Sequence, residues 1–173
     1  MKVIHSKDIY NICRDIMRCL DPKVMNHGQR TAYLLCRMLQ CENKYEMYEI
    51  AEFGMLATIH DVGAYRTEDL SDQLNYETKN TKPHSIFGYL YVLYLMPFRD
   101  RAKVILNHHT DYNQITDKDY EYKAITDYLN LAEKVDIYSN ILGDKFDLTM
   151  FEKQAGTKVS PVALRLIYEA EKK

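Results

Sequence analysis

Residues 24–38 read VMNHGQRTAYLLCRM, and their spacing decides the fold class. Val24, His27, Thr31, Leu34, Leu35 and Met38 recur at three- and four-residue steps, so a helix lays them along one face. The same period continues on both sides. Upstream, Ile9, Ile12, Cys13, Ile16 and Leu20 predict a helix over about 5–20. Asp21-Pro22 then restarts the chain, with Asp21 suited to an N-cap and Pro22 to a first turn. Downstream, Met47, Ile50, Gly54, Ala57 and Asp61 predict a third helix over about 45–61. Residues 62–83 are polar and lose the period, and a loop of that length in a compact domain is usually functional or mobile. Helical signals resume over about 84–95 and again over about 99–109, where Ala102, Ile105, Leu106 and His109 share a face. A short polar connection carries Asp111, Asn113 and Asp117. A long helix over about 119–139 aligns Ile125, Leu129, Ala132 and Asp136, and the tail adds one or two helices over about 147–173, with Pro161 near the start of the last. No segment alternates as a strand does. The expected fold is all-α, a helical bundle forming a single domain over residues 1–173, with its chemistry between about 24 and 140.

Composition narrows the function. Apolar residues make up 46% of the chain and charged residues 28%, the balance of an ordinary folded domain. A formal charge of −2, with both signs interspersed, argues against general nucleic-acid binding. The N-terminal MKVIHSKDIY has no apolar run of signal-peptide or membrane-span length, so a cytoplasmic protein is expected. Cys13, Cys19, Cys36 and Cys41 form no CxxC pair and read as helix-packing residues, not disulfides. A phosphate-binding glycine loop and a serine nucleophile elbow are both absent, which leaves covalent catalysis unsupported.

The ionisable residues carry the chemistry. His27, Asp61, His109 and Asp136 fall on the apolar faces of four separate helical patterns. Burying a charge costs several kcal/mol unless it is paired or bound to metal. One inward histidine is ordinarily a hydrogen-bonded core residue; four inward groups from four helices share an explanation in a metal site inside a bundle. His60 precedes Asp61, His108 precedes His109, and His84 opens the helix after the long loop, so five of the six histidines belong to this set. Imidazole suits iron, manganese, nickel or zinc, and a carboxylate can bridge two cations.

The ordered series resembles the HD-domain superfamily of metal-dependent phosphohydrolases. HGQR at 27–30, TIHDVG at 58–63, KPHSIFG at 82–88 and LAEKVDIYSN at 131–140 are similar to its motifs. The additional His84 and the His108-His109 doublet resemble the HD-GYP branch. The resemblance implies that His27, His60, Asp61 and Asp136 hold a first metal and that Asp61 bridges. It implies that His84, His108 and His109 complete a second site. Iron or manganese is favoured for the pair, with zinc, nickel or magnesium as alternatives. Asp61 and His60 then stand at the catalytic centre of an enzyme that hydrolyses a nucleotide-like phosphate ester or anhydride with a metal-held hydroxide. The expected partner is a small phosphorylated ligand, a nucleotide or dinucleotide. Arg30, Arg66 and Lys82 are candidate substrate contacts, since Arg forks and Lys points suit phosphate.

Three positions depart from the branch. Ala64 stands where the HDxG stretch is usually followed by Lys, and HHTDYNQIT after the doublet has neither the Gly nor the Pro of the GYP motif. Lys23 occupies the position one turn before His27 where three-metal relatives have Glu. These losses argue against cyclic di-GMP as the substrate and against a third metal. They also raise the alternative of a catalytically weakened metal-binding sensor or regulatory domain.

Overall fold

The computed structural model describes residues 5–66, 82–116 and 120–172. Among them the chain is helical, with one isolated bridge between Ala155 and Val159 and no strand. The helices are α1 (Ser6–Leu20), α2 (Pro22–Glu42), α3 (Met47–Thr58), α4 (Lys82–Leu95), α5 (Ala102–Asn107), α6 (Lys123–Leu142) and α7 (Pro161–Glu171). Short 3₁₀ turns at Val62–Arg66, Arg99–Arg101, Tyr112–Gln114, Gly143–Lys145 and Leu148–Gln154 link them. The all-α bundle expected from the periodicity is the one observed.

Local chemistry sets the helix ends. Asp21 leaves α1 in an extended conformation, and its side chain accepts from the Lys23 N–H while Pro22 starts α2. Asn43 ends α2 in the left-handed region at φ 53°, a conformation Asn tolerates better than most residues. Ser160 caps α7 by accepting from Ala163 N–H, again followed by proline.

The core gathers around α2, which packs against α1, α3, α6 and α7. Leu35, Met38 and Leu39 of α2 meet Phe53 and Leu56 of α3, Ile105 of α5, and Ile125 and Leu129 of α6, all essentially inaccessible to solvent. Each such side chain stabilises the fold by roughly 1.5–3 kcal/mol relative to exposure. Two glycines let backbones approach where the bundle needs it. A Cβ on Gly28 would overlap the Thr58 carbonyl oxygen, and one on Gly63 would overlap that of His84. The first contact brings α2 against the end of α3; the second seats the 62–66 turn on α4.

Several expected faces and boundaries shift. In α1 the packed stripe is Cys13 and Met17 with Ile9 beside them, because the Cys13 thiol contacts the Tyr91 hydroxyl and the Met96 sulfur of the neighbouring segment. Ile12 and Ile16 consequently face outward. Met47 lies exposed at the start of α3, whose inward residues are Ile50, Phe53, Gly54 and Ala57. α3 ends at Thr58, not 61, and α5 ends at Asn107, two residues short of the expected limit. In the stretch expected as a loop, 62–66 form a 3₁₀ turn and the next helix begins at Lys82; 67–81, like Asp117, lie outside the described residues. The tail holds one α-helix and a 3₁₀ run. All four cysteines are free. No helix among the described residues is long and apolar enough to cross a membrane.

Candidate metal centre

Five elements deliver side chains to one buried point. α2 supplies His27, and the tight turn after α3 supplies His60 and Asp61. Adjacent residues on a regular helix diverge by about 100°. Here the helix has already tightened, since Ile59 and His60 N–H donate back to Leu56 and Ala57 and Val62 N–H to Ile59. Both members of the doublet reach the same centre from this turn, with His60 Nε2 3.3 Å from Asp61 Oδ2. His84 comes from the first turn of α4. His108 and His109 follow the last residue of α5, whose end is received by α6: Asn130 Nδ2 donates to the His108 carbonyl at 2.6 Å.

Five imidazoles form a continuous chain of ring contacts, from His27 to His60 (5.1 Å between centroids), His60 to His108 (5.3 Å), His108 to His84 (5.5 Å), and His84 to His109 (4.8 Å). Three are tethered by Nδ1. His60 Nδ1 lies 2.7 Å from the Ala57 carbonyl, His108 Nδ1 lies 2.5 Å from the Ile105 carbonyl, and His27 Nδ1 lies 2.7 Å from Asp136 Oδ2. Carbonyl and carboxylate oxygens only accept, so each Nδ1 carries a proton and Nε2 is the nitrogen left to take an ion or a second proton. Those three Nε2 atoms and Asp61 Oδ1 are buried without a hydrogen-bond partner among the described residues. Orphaned polar atoms buried together are costly. Tethered Nδ1 with Nε2 aimed inward is the arrangement of a metal-binding histidine.

The donor atoms fall into two groups, each with its atoms within 4.8 Å of one another: His27, His60 and Glu133, and Asp61, His84, His108 and His109. Each group could hold a metal ion. Asp61 reaches both. Its Oδ2 lies 3.3 Å from His60 Nε2 and 3.8 Å from His27 Nε2, and its Oδ1 lies 3.6 Å from the Nε2 of both His84 and His108. Glu133 also links the groups, with Oε1 3.5 Å from His109 Nδ1.

Electrostatics follow from burial and crowding. Burial opposes charge on His60, but Asp61, Glu133 and the Ala57 carbonyl outweigh it and push the imidazole up to about 9. Burial would raise Asp61, yet the surrounding imidazoles hold it well below the usual carboxylate range. Burial lowers His84 to about 4, despite Asp61, and lowers His109 well below its ordinary value. Glu133 is raised by burial.

The residues singled out from the sequence land in different places. His27, His60, Asp61, His84, His108 and His109 come together. Asp136, expected beside them as a ligand, stands one layer out and belongs to neither group. Its carboxylate accepts from His27 Nδ1 and from the Arg30 fork, Nε to Oδ1 at 2.5 Å and Nη2 to Oδ2 at 3.0 Å. Burial would raise its pKa, but these bonds hold it below the ordinary value. The inward carboxylate on α6 is Glu133, one turn earlier, which the sequence reading passed over. Its signal was its place three residues before Asp136 in LAEKVD, next to the inward stripe. Arg30 thus meets a carboxylate. Lys82 is exposed on the rim of a cleft of about 310 Å³ that reaches His109. Arg66 ends the 62–66 turn, and its side chain lies outside what is described. Ala64 is fully buried.

Comparison with family models, with curated proteins and with solved structures finds no match.

Proposed function

We propose that the protein is a metal-dependent phosphohydrolase acting on a nucleotide-like phosphate ester or anhydride. The observation that carries this reading is the set of inward, orphaned donor atoms: three Nε2 atoms with fixed tautomers and Asp61 Oδ1 between two donor groups. The order of the motifs, which resembles the HD-domain superfamily, supports it independently.

His27, His60 and Glu133 would hold one divalent ion, and His84, His108 and His109 a second, with Asp61 spanning them through its two oxygens. When bound, such a pair lowers the pKa of water and neutralises charge on a transferring phosphoryl group. The mixed imidazole and carboxylate set suits iron or manganese, with zinc, nickel and magnesium as alternatives. The chain's own residues do the remaining work. Asp136 and the two carbonyls keep the imidazoles in the metal-binding tautomer. His109 is the one histidine of the cluster with an appreciably exposed side chain, 25%. The cleft beside it is lined by Lys82, Ser85, Asn107, Thr110 and Gln114, donors that can meet phosphate oxygens.

One observation favours a second reading, a metal-binding sensor or regulatory domain with weak turnover. Ala64 is buried where the resemblance expects a lysine, so that position offers a phosphate no charge.

The test is metal content and turnover of untagged protein beside Asp61→Ala. About two equivalents of iron or manganese, with release of phosphate or nucleotide from a panel of dinucleoside polyphosphates and cyclic dinucleotides, is the expected result. Both should be lost in the variant. Full turnover in Asp61→Ala refutes the hydrolase reading; retained metal with no turnover on any substrate favours the sensor.

A further inference from the structure

A second cavity of about 590 Å³ lies between α2, α6, Phe146 and the end of α7, and reaches Asp136, the partner of His27. Its volume falls in the range of small-molecule sites. Leu34 and Val135 form an apolar floor, and Tyr33 and Phe146 bring two aromatic rings to its walls. Tyr33 is 64% exposed, which leaves much of its side chain open to a ligand. Asn26 and Gln29 add two side-chain amides from consecutive turns of α2. Amides placed this way can pair with the edge of a base, and aromatic faces with its plane.

Arg30 lines the same cavity, as does Asp136. Two of the five guanidinium donors go to Asp136, and the others have no protein partner among the described residues. An anion in the cleft therefore finds a cation already fixed in place, and its partner Asp136 holds His27 of the metal group. Asp136 and Glu171, also at the cavity, carry the opposite sign, so an anion is favoured only at the outward N–H groups of Arg30. The lining thus matches a molecule with a planar, hydrogen-bonding ring and one phosphate end.

We infer that this cleft binds the nucleoside part of the phosphorylated substrate, with Arg30 facing the phosphate. This rests on the phosphohydrolase reading of the adjoining centre, and it adds where the substrate's recognised half sits. It also assigns Tyr33, Phe146, Asn26 and Gln29 a role in choosing the substrate that the metal ligands do not have.

Adenosine and AMP separate the two claims, because adenosine has no phosphoryl group to hydrolyse. Calorimetric titration of the metal-loaded protein should show both binding, AMP more tightly. Tyr33→Ala combined with Phe146→Ala should weaken both by about tenfold or more, the scale of lost base stacking. Arg30→Ala should bring AMP down to the affinity of adenosine and leave adenosine unchanged. The melting temperature of each variant monitors folding, and Asn26→Ala, at an exposed position, repeats the test without touching an apolar wall. With any nucleotide substrate that turns over, the aromatic double variant should raise KM more than it changes kcat. No adenosine binding at millimolar concentration, or unchanged affinity in the folded double variant, overturns the assignment. Because binding is read without turnover, a protein that hydrolyses nothing but binds adenosine in this way sinks the enzyme reading and keeps the cleft.

Discussion

The two halves of the histidine cluster are held in different ways. In the group of His27 and His60 both imidazoles are fixed by something other than their neighbours, Asp136 for His27 and the Ala57 carbonyl for His60, and in the other group the Ile105 carbonyl fixes His108 in the same way. Arg30 in turn fixes Asp136. On the other side His84 and His109 meet through their Nε2 atoms, 2.7 Å apart, and His109 is partly exposed. Two nitrogens that face each other must share one proton, and that proton has to leave before both can serve as donors. One group thus offers imidazoles tied from outside, and the other includes a pair that contact each other beside the open cleft, so any ions they held would differ in affinity.

The comparison is most directly broken at Glu133. Glu133→Ala removes the carboxylate grouped with His27 and His60 and should abolish one equivalent of metal and at least about 10³-fold of turnover, since charge stabilisation at the reacting phosphate goes with it. If metal content and activity are unchanged, the first group is not a site. His109→Ala should be smaller and one-sided: elemental analysis should find the ion of the second group reduced and the first retained, because His109 touches the first group only through Glu133. Loss of both ions together would erase the distinction between the halves. Asp136→Asn sharpens it further. The amide cannot accept from both His27 and Arg30 as the carboxylate does, and metal affinity should fall about 10- to 100-fold, the usual cost of disturbing a residue that orients a ligand. A complete loss of metal would instead make Asp136 a ligand.

The smallest effect lies away from the cluster and serves as a control on folding. Burial pushes Asp127 up to about 6 from 3.8, although Lys123 pulls the other way. The folded chain therefore keeps this proton at a pH where the unfolded chain has released it. The contribution is fully present below about 4 and is lost as the pH rises through about 6. Denaturant midpoints measured between pH 4 and 7 should decline with rising pH more steeply in the wild type than in Asp127→Asn, with metal content equal in both. An identical slope would show that Asp127 titrates normally.

The sequence disclosed the fold through short-range patterns. Helix period, the Asp21-Pro22 restart and Pro161 are all local, and the structure places helix starts at 22 and 161 accordingly. Six of the seven residues expected at the site are gathered in one cluster, and they were singled out because a polar group on an apolar stripe has few other reasons to be there. What stayed hidden depends on distant residues. Glu133 and Asp136 lie one turn apart on the same helix, and nothing local says which of them faces the histidines. Arg30 decides it, by claiming Asp136 from a position 106 residues away in the chain. The face of α1 was hidden for the same reason, since the choice of Cys13 and Met17 over Ile12 and Ile16 is made by Tyr91 and Met96.

The missing side chain at Gly28 has a further consequence. The backbone of α2 already touches the Thr58 carbonyl, with no room even for a methyl group. His27 follows directly before that contact, and His60 two residues after it. The two helices can move apart, but they cannot move closer. The gap between these imidazoles consequently has a floor set by main-chain atoms. The pocket behaves as a gauge with a hard stop on one side: widening for a larger ion stretches packing contacts, while contraction around a smaller one would require backbone to pass through backbone.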